Sequence, residues 1–131
     1  MFEKDMTVGV LLDFYGDVLS EHTQNLLSMY YGEDLSLAEI AESAGISRQG
    51  VRAAIKRGVE DLRFLEEKLG LLYEFTRMQE AADTLAAAAR GLDTHEDPAV
   101  RALAEAAMRC AETILSDHEE EEGQRVSKLN R

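Results

Sequence analysis

Apolar residues recur at three- and four-residue intervals along most of the chain, and no stretch alternates as a strand would. The pattern predicts an all-α fold. A first helix is expected over about 6–19, with Val8, Leu11, Leu12, Tyr15 and Leu19 on one face. Ser20 is positioned to cap a second helix over about 21–31, which carries Leu26, Leu27 and Tyr30. After the loop Gly32-Glu33-Asp34, Ser36 opens a third helix, and Glu39 three residues on completes a capping box. Ser47 caps a fourth helix with no obvious stop, because apolar positions continue through Val59, Leu62, Leu65, Leu69, Leu72 and Phe75. Gly58 and Gly70 weaken this run by roughly 1 kcal/mol each relative to alanine, so a kink or break is expected near Gly70.

Beyond that point Phe75, Met78, Ala82, Leu85, Ala89 and Leu92 keep the helical spacing until Gly91 and Asp93. Asp97-Pro98 reads as a cap followed by proline at the first helical position. A last helix, about 98–117, presents Val100, Leu103, Ala107, Cys110 and Ile114 as its apolar stripe. A second row of small and apolar residues, Ala104, Met108, Ala111 and Leu115, exceeds what a two-helix hairpin can bury. It must meet the first helix of the same chain or the same surface of a second chain, and the second, a homodimer, is the one expected. The organisation expected is a head over 1–70, a helical extension and dimerisation hairpin over 71–117, and an acidic, flexible tail over 118–131.

Residues 36–57 carry the functional signal. Ile40, Ala41, Ala44, Gly45, Ile46, Val51, Ala54 and Ile55 have the spacing of two short helices crossing at a sharp turn, a helix-turn-helix. Ala41 is small where the second helix approaches, and Gly45 sits where the turn needs positive φ. Left outside are Ser47, Arg48, Gln49, Arg52, Lys56 and Arg57, the candidate DNA-binding residues. Arginine bonds guanine bidentately and glutamine does the same with adenine, so Arg48, Gln49 and Arg52 are base readers, while Lys56 and Arg57 suit phosphates. Ser47 caps its helix, touches a phosphate, or does both.

Charge sharpens this picture. The chain of 131 residues has a net charge of −12, which speaks against a general polyanion binder. Residues 1–46 hold one base and nine acids, and residues 64–131 hold eight bases and fifteen acids. Residues 47–63 hold five bases and two acids, so the only positive segment is the proposed recognition helix. An acidic body with one basic face binds nucleic acid in a single orientation. No segment has the ~18 consecutive apolar residues of a membrane span. The opening MFEKDM lacks a basic n-region, and the one cysteine forms no internal disulfide, so a cytoplasmic protein is expected.

At residues 13–75 the sequence resembles the YlxM family of small bacterial proteins. The matching pieces are Asp13-Phe14-Tyr15, Tyr30-Tyr31, Asp34-Leu35-Ser36-Leu37, Glu39-Ile40-Ala41-Glu42, Ser47-Arg48-Gln49 with Val51, Ile55-Lys56-Arg57 and Glu66-Glu67-Lys68-Leu69. The resemblance implies a head similar to region 4 of bacterial sigma factors and a DNA-binding regulatory role. Genes of the family neighbour those of the signal recognition particle pathway, which implies regulation of that pathway. The alternative it leaves is an RNA- or protein-binding accessory factor of the particle. The sequence departs from the family pattern at Gly50, where alanine is usual, and in a longer acidic C-terminal end.

Other chemistry is thin. Asp13 and Asp17 stand one helical turn apart, but they read as a solvated face rather than paired catalytic carboxylates. His22, His95 and His118 are scattered outside any metal-ligand spacing, although His118 beside Glu119–Glu122 could catch a divalent cation weakly. Cys110 lies on the apolar stripe of the last helix and reads as a small core residue. Tyr30 and Tyr31 read as packing the second helix against the fourth rather than stacking bases. No enzyme activity, cofactor or metal is expected.

Overall fold

The computed structural model describes the backbone of residues 5–129 and the side chains of residues 5–116. Among the described residues the regular structure is helical throughout. Six α-helices follow in order: α1 Met6–Tyr15, α2 Glu21–Leu27, α3 Leu37–Ala44, α4 Arg48–Leu69, α5 Leu71–Ala89 and α6 Pro98–Leu129. The chain divides into two compact units, Met1–Tyr73 and Glu74–Arg131.

In the first unit, α1 begins at Asp5, whose carboxylate accepts from the Thr7 amide at 2.9 Å. It ends sooner than the apolar pattern predicts. A 3-10 turn, Gly16–Val18, takes over after Tyr15, and the side chains of Gln24 and Leu12 crowd the place where a Cβ on Gly16 would stand. Ser20 caps α2, as the sequence indicates, and a π-helical turn, Ser28–Gly32, extends it to the predicted loop. The core of this unit is built from large side chains. Val8, Tyr15, Leu26, Leu27, Ile40, Val51 and Leu62 are almost fully buried.

Gly70 breaks the long helical run. It adopts φ 64° and caps α4, its amide bonding the Glu66 carbonyl at 2.9 Å, and α5 starts at the next residue. The amides opening α5 find partners in side chains. Leu71 donates to the Tyr15 hydroxyl at 3.0 Å, and Leu72 and Tyr73 donate to the two oxygens of Glu66, each at 3.1 Å. Three of the donors left unpaired at a helix start are thereby satisfied.

In the second unit, α5 stops before Gly91, which has φ 87°, and a 3-10 turn, Leu92–Thr94, leads on. Asp97 caps α6 by accepting from the Ala99 amide at 2.9 Å, with Pro98 at the first helical position as the sequence predicts. The apolar stripes need correction. On α6 the buried residues are Ala104 and Ala111, with Met108 and Leu115 half-buried beside them. Of the expected stripe Val100, Ala107 and Ile114 are half-buried, while Leu103 is 73% exposed and Cys110 is exposed. The row expected to seek a second chain is therefore the inward one, and Cys110 is not a core residue. On α5, Ala82 and Ala89 are buried, whereas Met78 and Leu85 are exposed, as is Leu92 just beyond. The two α6 rows lie one residue apart, about 100° around the helix, and each is apolar enough to face a core. α6 runs on through residues 118–129, past the end near 117 that the sequence predicts. Glutamates 119–122 are good helix formers, and no proline follows Pro98 to stop them. The cation site considered at His118 lies outside the described side chains.

Candidate nucleic-acid interface

The helix-turn-helix forms as its sequence requires. Ser36 and Glu39 make the reciprocal capping box, with the Glu39 amide donating to Ser36 Oγ at 3.1 Å and the Ser36 amide donating to Glu39 Oε1 at 3.2 Å. Gly45 takes φ 71° and closes α3, and its amide and that of Ile46 both reach the Ala41 carbonyl. This turn needs the left-handed region that glycine enters freely. Ser47 then caps α4, its Oγ accepting from the Gly50 amide at 3.0 Å. Capping is thus the observed role of Ser47, and the residue is exposed as well.

α4 is seated by its opposite side. Val51, Ile55, Gly58 and Leu62 are buried along one stripe. At Gly58 the helix comes close to α2. A Cβ there would stand 2.8 Å from Leu27 Cδ1 and 2.8 Å from Thr23 Cγ2. The glycine that weakens the helix in isolation is what lets α2 cross it.

The helical period sets Gln49, Lys56 and Arg57 away from that stripe, with Arg52 at its flank and Arg48 at the open N-terminal end of the helix. Arg48, Gln49, Arg52, Lys56 and Arg57 are all exposed on the first three turns of α4, so the structure brings together every residue singled out from the sequence. The stretch Arg48–Arg57 rises ~15 Å along the axis, and a helix about 10–12 Å across matches the ~12 Å width of a DNA major groove. Exposed Glu60 and Asp61 follow immediately and end the basic surface. Arg63, the fifth base of the segment, is turned elsewhere: its guanidinium lies 3.5 Å from the Asp5 carboxylate.

Cations at a helix N-terminus oppose the helix macrodipole, which favours anions there. α4 nevertheless has no acidic residue in its first turn and has Arg48 at its start. Local stability does not account for that choice.

The sequence reading missed Tyr15 and Glu66 as partners. The Tyr15 hydroxyl donates to Glu66 Oε2 at 2.7 Å across 51 positions of sequence. Burial raises the Tyr15 pKa above its ordinary value, and the bond to Glu66 raises it further, so the phenol keeps its proton. Burial pushes the Glu66 pKa up, but bonds from Tyr15 and from the Tyr73 and Leu72 amides outweigh it and leave the carboxyl below its ordinary value. Both residues fall in pieces that resemble the YlxM family, but nothing local in the sequence pairs them.

Among the described residues no group of three histidines, cysteines, aspartates or glutamates is arranged to hold a metal ion. Among them, too, no helix is long and apolar enough to cross a membrane.

Over residues 2–99 the sequence matches the family described as "putative helix-turn-helix protein, YlxM / p13 like", UPF0122. The chain belongs to this family. The match runs past residue 75, so it includes α5 as well as the head. A UPF0122 protein of Desulforamulus reducens is 47% identical over 70 residues, which are 53% of this chain and 60% of that protein. A UPF0122 protein of Listeria innocua, lin1916, is 41% identical over 87 residues, 66% of this chain and 79% of its own length. A UPF0122 protein of Lacticaseibacillus casei is 39% identical over 105 residues, 79% of this chain and 90% of its own length.

Proposed function

We infer that this chain is a sequence-specific DNA-binding regulator that sets the N-terminal turns of α4 in the major groove. The observation that carries the reading is the joint exposure of Arg48, Gln49, Arg52, Lys56 and Arg57 on a helix whose other side is anchored in the core. Ser47 presents a capped helix start to the same surface. Duplex DNA fits this face better than duplex RNA, because the A-form major groove is too deep and narrow to admit a helix. The reading implies the cytoplasm, where bacterial DNA lies. Regulation of the signal recognition particle pathway rests on the family resemblance alone, and the RNA of that particle is the natural control ligand.

A homodimer on paired half-sites follows from the motif. The inward turn of Ala104 and Ala111 removes the interface first expected. Exposed apolar side chains, Met78 and Leu85 on α5 and Leu103 on α6, are the ones left for contact with a second copy.

The test is binding of the full chain to a duplex recovered by selection, beside small cytoplasmic RNAs. Arg48→Ala or Arg52→Ala should cost ~1–3 kcal/mol on the selected duplex, and Lys56→Ala should weaken all duplexes about equally. Three variants that bind like the parent, or tighter binding to the RNAs, would overturn the reading. Light scattering at tens of micromolar reports the dimer, and a monomeric mass overturns it.

A further inference from the structure

Ala53 stands in the middle of the basic surface and is the residue there that neither charge nor hydrogen bonding explains. It is exposed and lies two positions from each of Val51 and Ile55, which are buried. At about 100° per residue it projects roughly 200° from each of them, straight away from the head core. Gln49 lies one turn before it, Arg52 beside it and Arg57 one turn after, all exposed. Glu60 shares this outward face seven residues further on, where its carboxylate would meet phosphates if the whole helix lay in the groove. Only the N-terminal turns therefore enter, and Ala53 is close to their midpoint.

A helix docked with its core side outward sets this position at the groove floor. The side chain there decides how near the backbone comes to the base edges. Alanine ends at Cβ and permits close approach. It also has no donor or acceptor, so a polar base edge against it loses water and gains no partner. The apolar group that base pairs present in the major groove is the C5-methyl of thymine. We propose, resting on the DNA reading above, that Ala53 is a specificity-determining residue that packs against a thymine methyl at the centre of the half-site.

The test uses the full chain and the duplex recovered by selection from a random-sequence DNA pool. Each thymine is replaced in turn by uracil, which lacks only the methyl. One central replacement should weaken binding about fourfold, the worth of one buried methyl group. In Ala53→Gly the same replacement should have no effect, and because the comparison is made within one variant, any change in helix stability cancels. Ala53→Gln should keep its thermal midpoint, since the site is exposed, and lose about tenfold or more on the selected duplex, since the helix is held off the bases. The inference is overturned if no thymine responds, if Ala53→Gly loses as much as the parent, or if Ala53→Gln binds as the parent does. A pool that enriches no duplex overturns the DNA reading itself, whereas an enriched duplex indifferent to uracil overturns this inference alone.

Discussion

The head hides seven large side chains almost completely, from Val8 and Tyr15 through Leu62, whereas the buried side chains described in the second unit are alanines at 82, 89, 104 and 111. Large side chains that interdigitate admit few alternative arrangements, because a shifted helix opens cavities or forces clashes. Alanines fit many arrangements nearly equally well. The head adds local determinants at its helix ends: Asp5, Ser20, Ser36 and Ser47 cap the starts, and Gly45 and Gly70 turn the chain at positive φ. The part of the molecule that carries the basic face is thus fixed several times over. That suits the proposed function, in which side chains of this surface meet base edges at set positions.

The contrast breaks first at Leu62, which is fully buried on the core side of α4. Leu62→Ala should cost ~2–5 kcal/mol and lower the thermal midpoint more than any alanine substitution in the second unit. A loss under about 1 kcal/mol would mean that the head is no better packed than α5 and α6. Gly58→Ala should destabilise the head too, by about 1–2 kcal/mol. The added methyl meets Leu27, which is buried and has little room to move, and the gain in helix propensity offsets only part of that.

Ala111→Leu should follow, at ~1–3 kcal/mol, since the residue is 1% exposed. It sharpens the comparison because the neighbouring row gives the opposite expectation. Leu103→Gln should change stability by less than about 0.5 kcal/mol, and oxidation or alkylation of Cys110 should be as innocuous. A reversed order would put the Leu103 row inside.

The start of α5 offers a test of intermediate size. Tyr15→Phe leaves the Leu71 amide without its partner and removes a donor from Glu66, and should cost about 1–2 kcal/mol by thermal melting. Glu66→Gln should cost a similar amount at neutral pH. Glu66 has a folded pKa below its ordinary value of 4.5. Its contribution is therefore complete above that value and is lost as pH falls through the lower, folded one. The stability gap between the parent and Glu66→Gln should accordingly narrow below pH 4.5. A gap that stays constant into acid would mean that the carboxylate charge is not what holds these amides.

Most of the head was legible in the sequence because its signals are local. A capping serine, a glutamate three residues on and a glycine at a turn act within one helical turn, and the structure reproduces Ser20, Ser36, Ser47, Gly45 and Gly70 in those roles. The exposure of Gln49, Lys56 and Arg57 followed from the buried positions Val51 and Ile55 by period, whereas Arg52 flanks that stripe and Arg48 is exposed because it stands at the open end of α4. Three things were not legible. Tyr15 and Glu66 meet across 51 residues, a pairing that only the folded head creates. Gly58 reads as a weak point in one dimension and is a crossing point in three. On α6 two apolar rows stand one position apart, and the pattern alone does not tell that Ala104 and Ala111 are buried while Leu103 and Cys110 are exposed.

The most direct test of the account is to follow the backbone amide resonances of the full chain as the selected duplex is added. The account predicts that the largest shifts fall on residues 45–57, the turn and the first three turns of α4, with small changes along α6. Largest shifts on the acidic surface of α3 or on α6, with Arg48 to Arg57 unmoved, would contradict it.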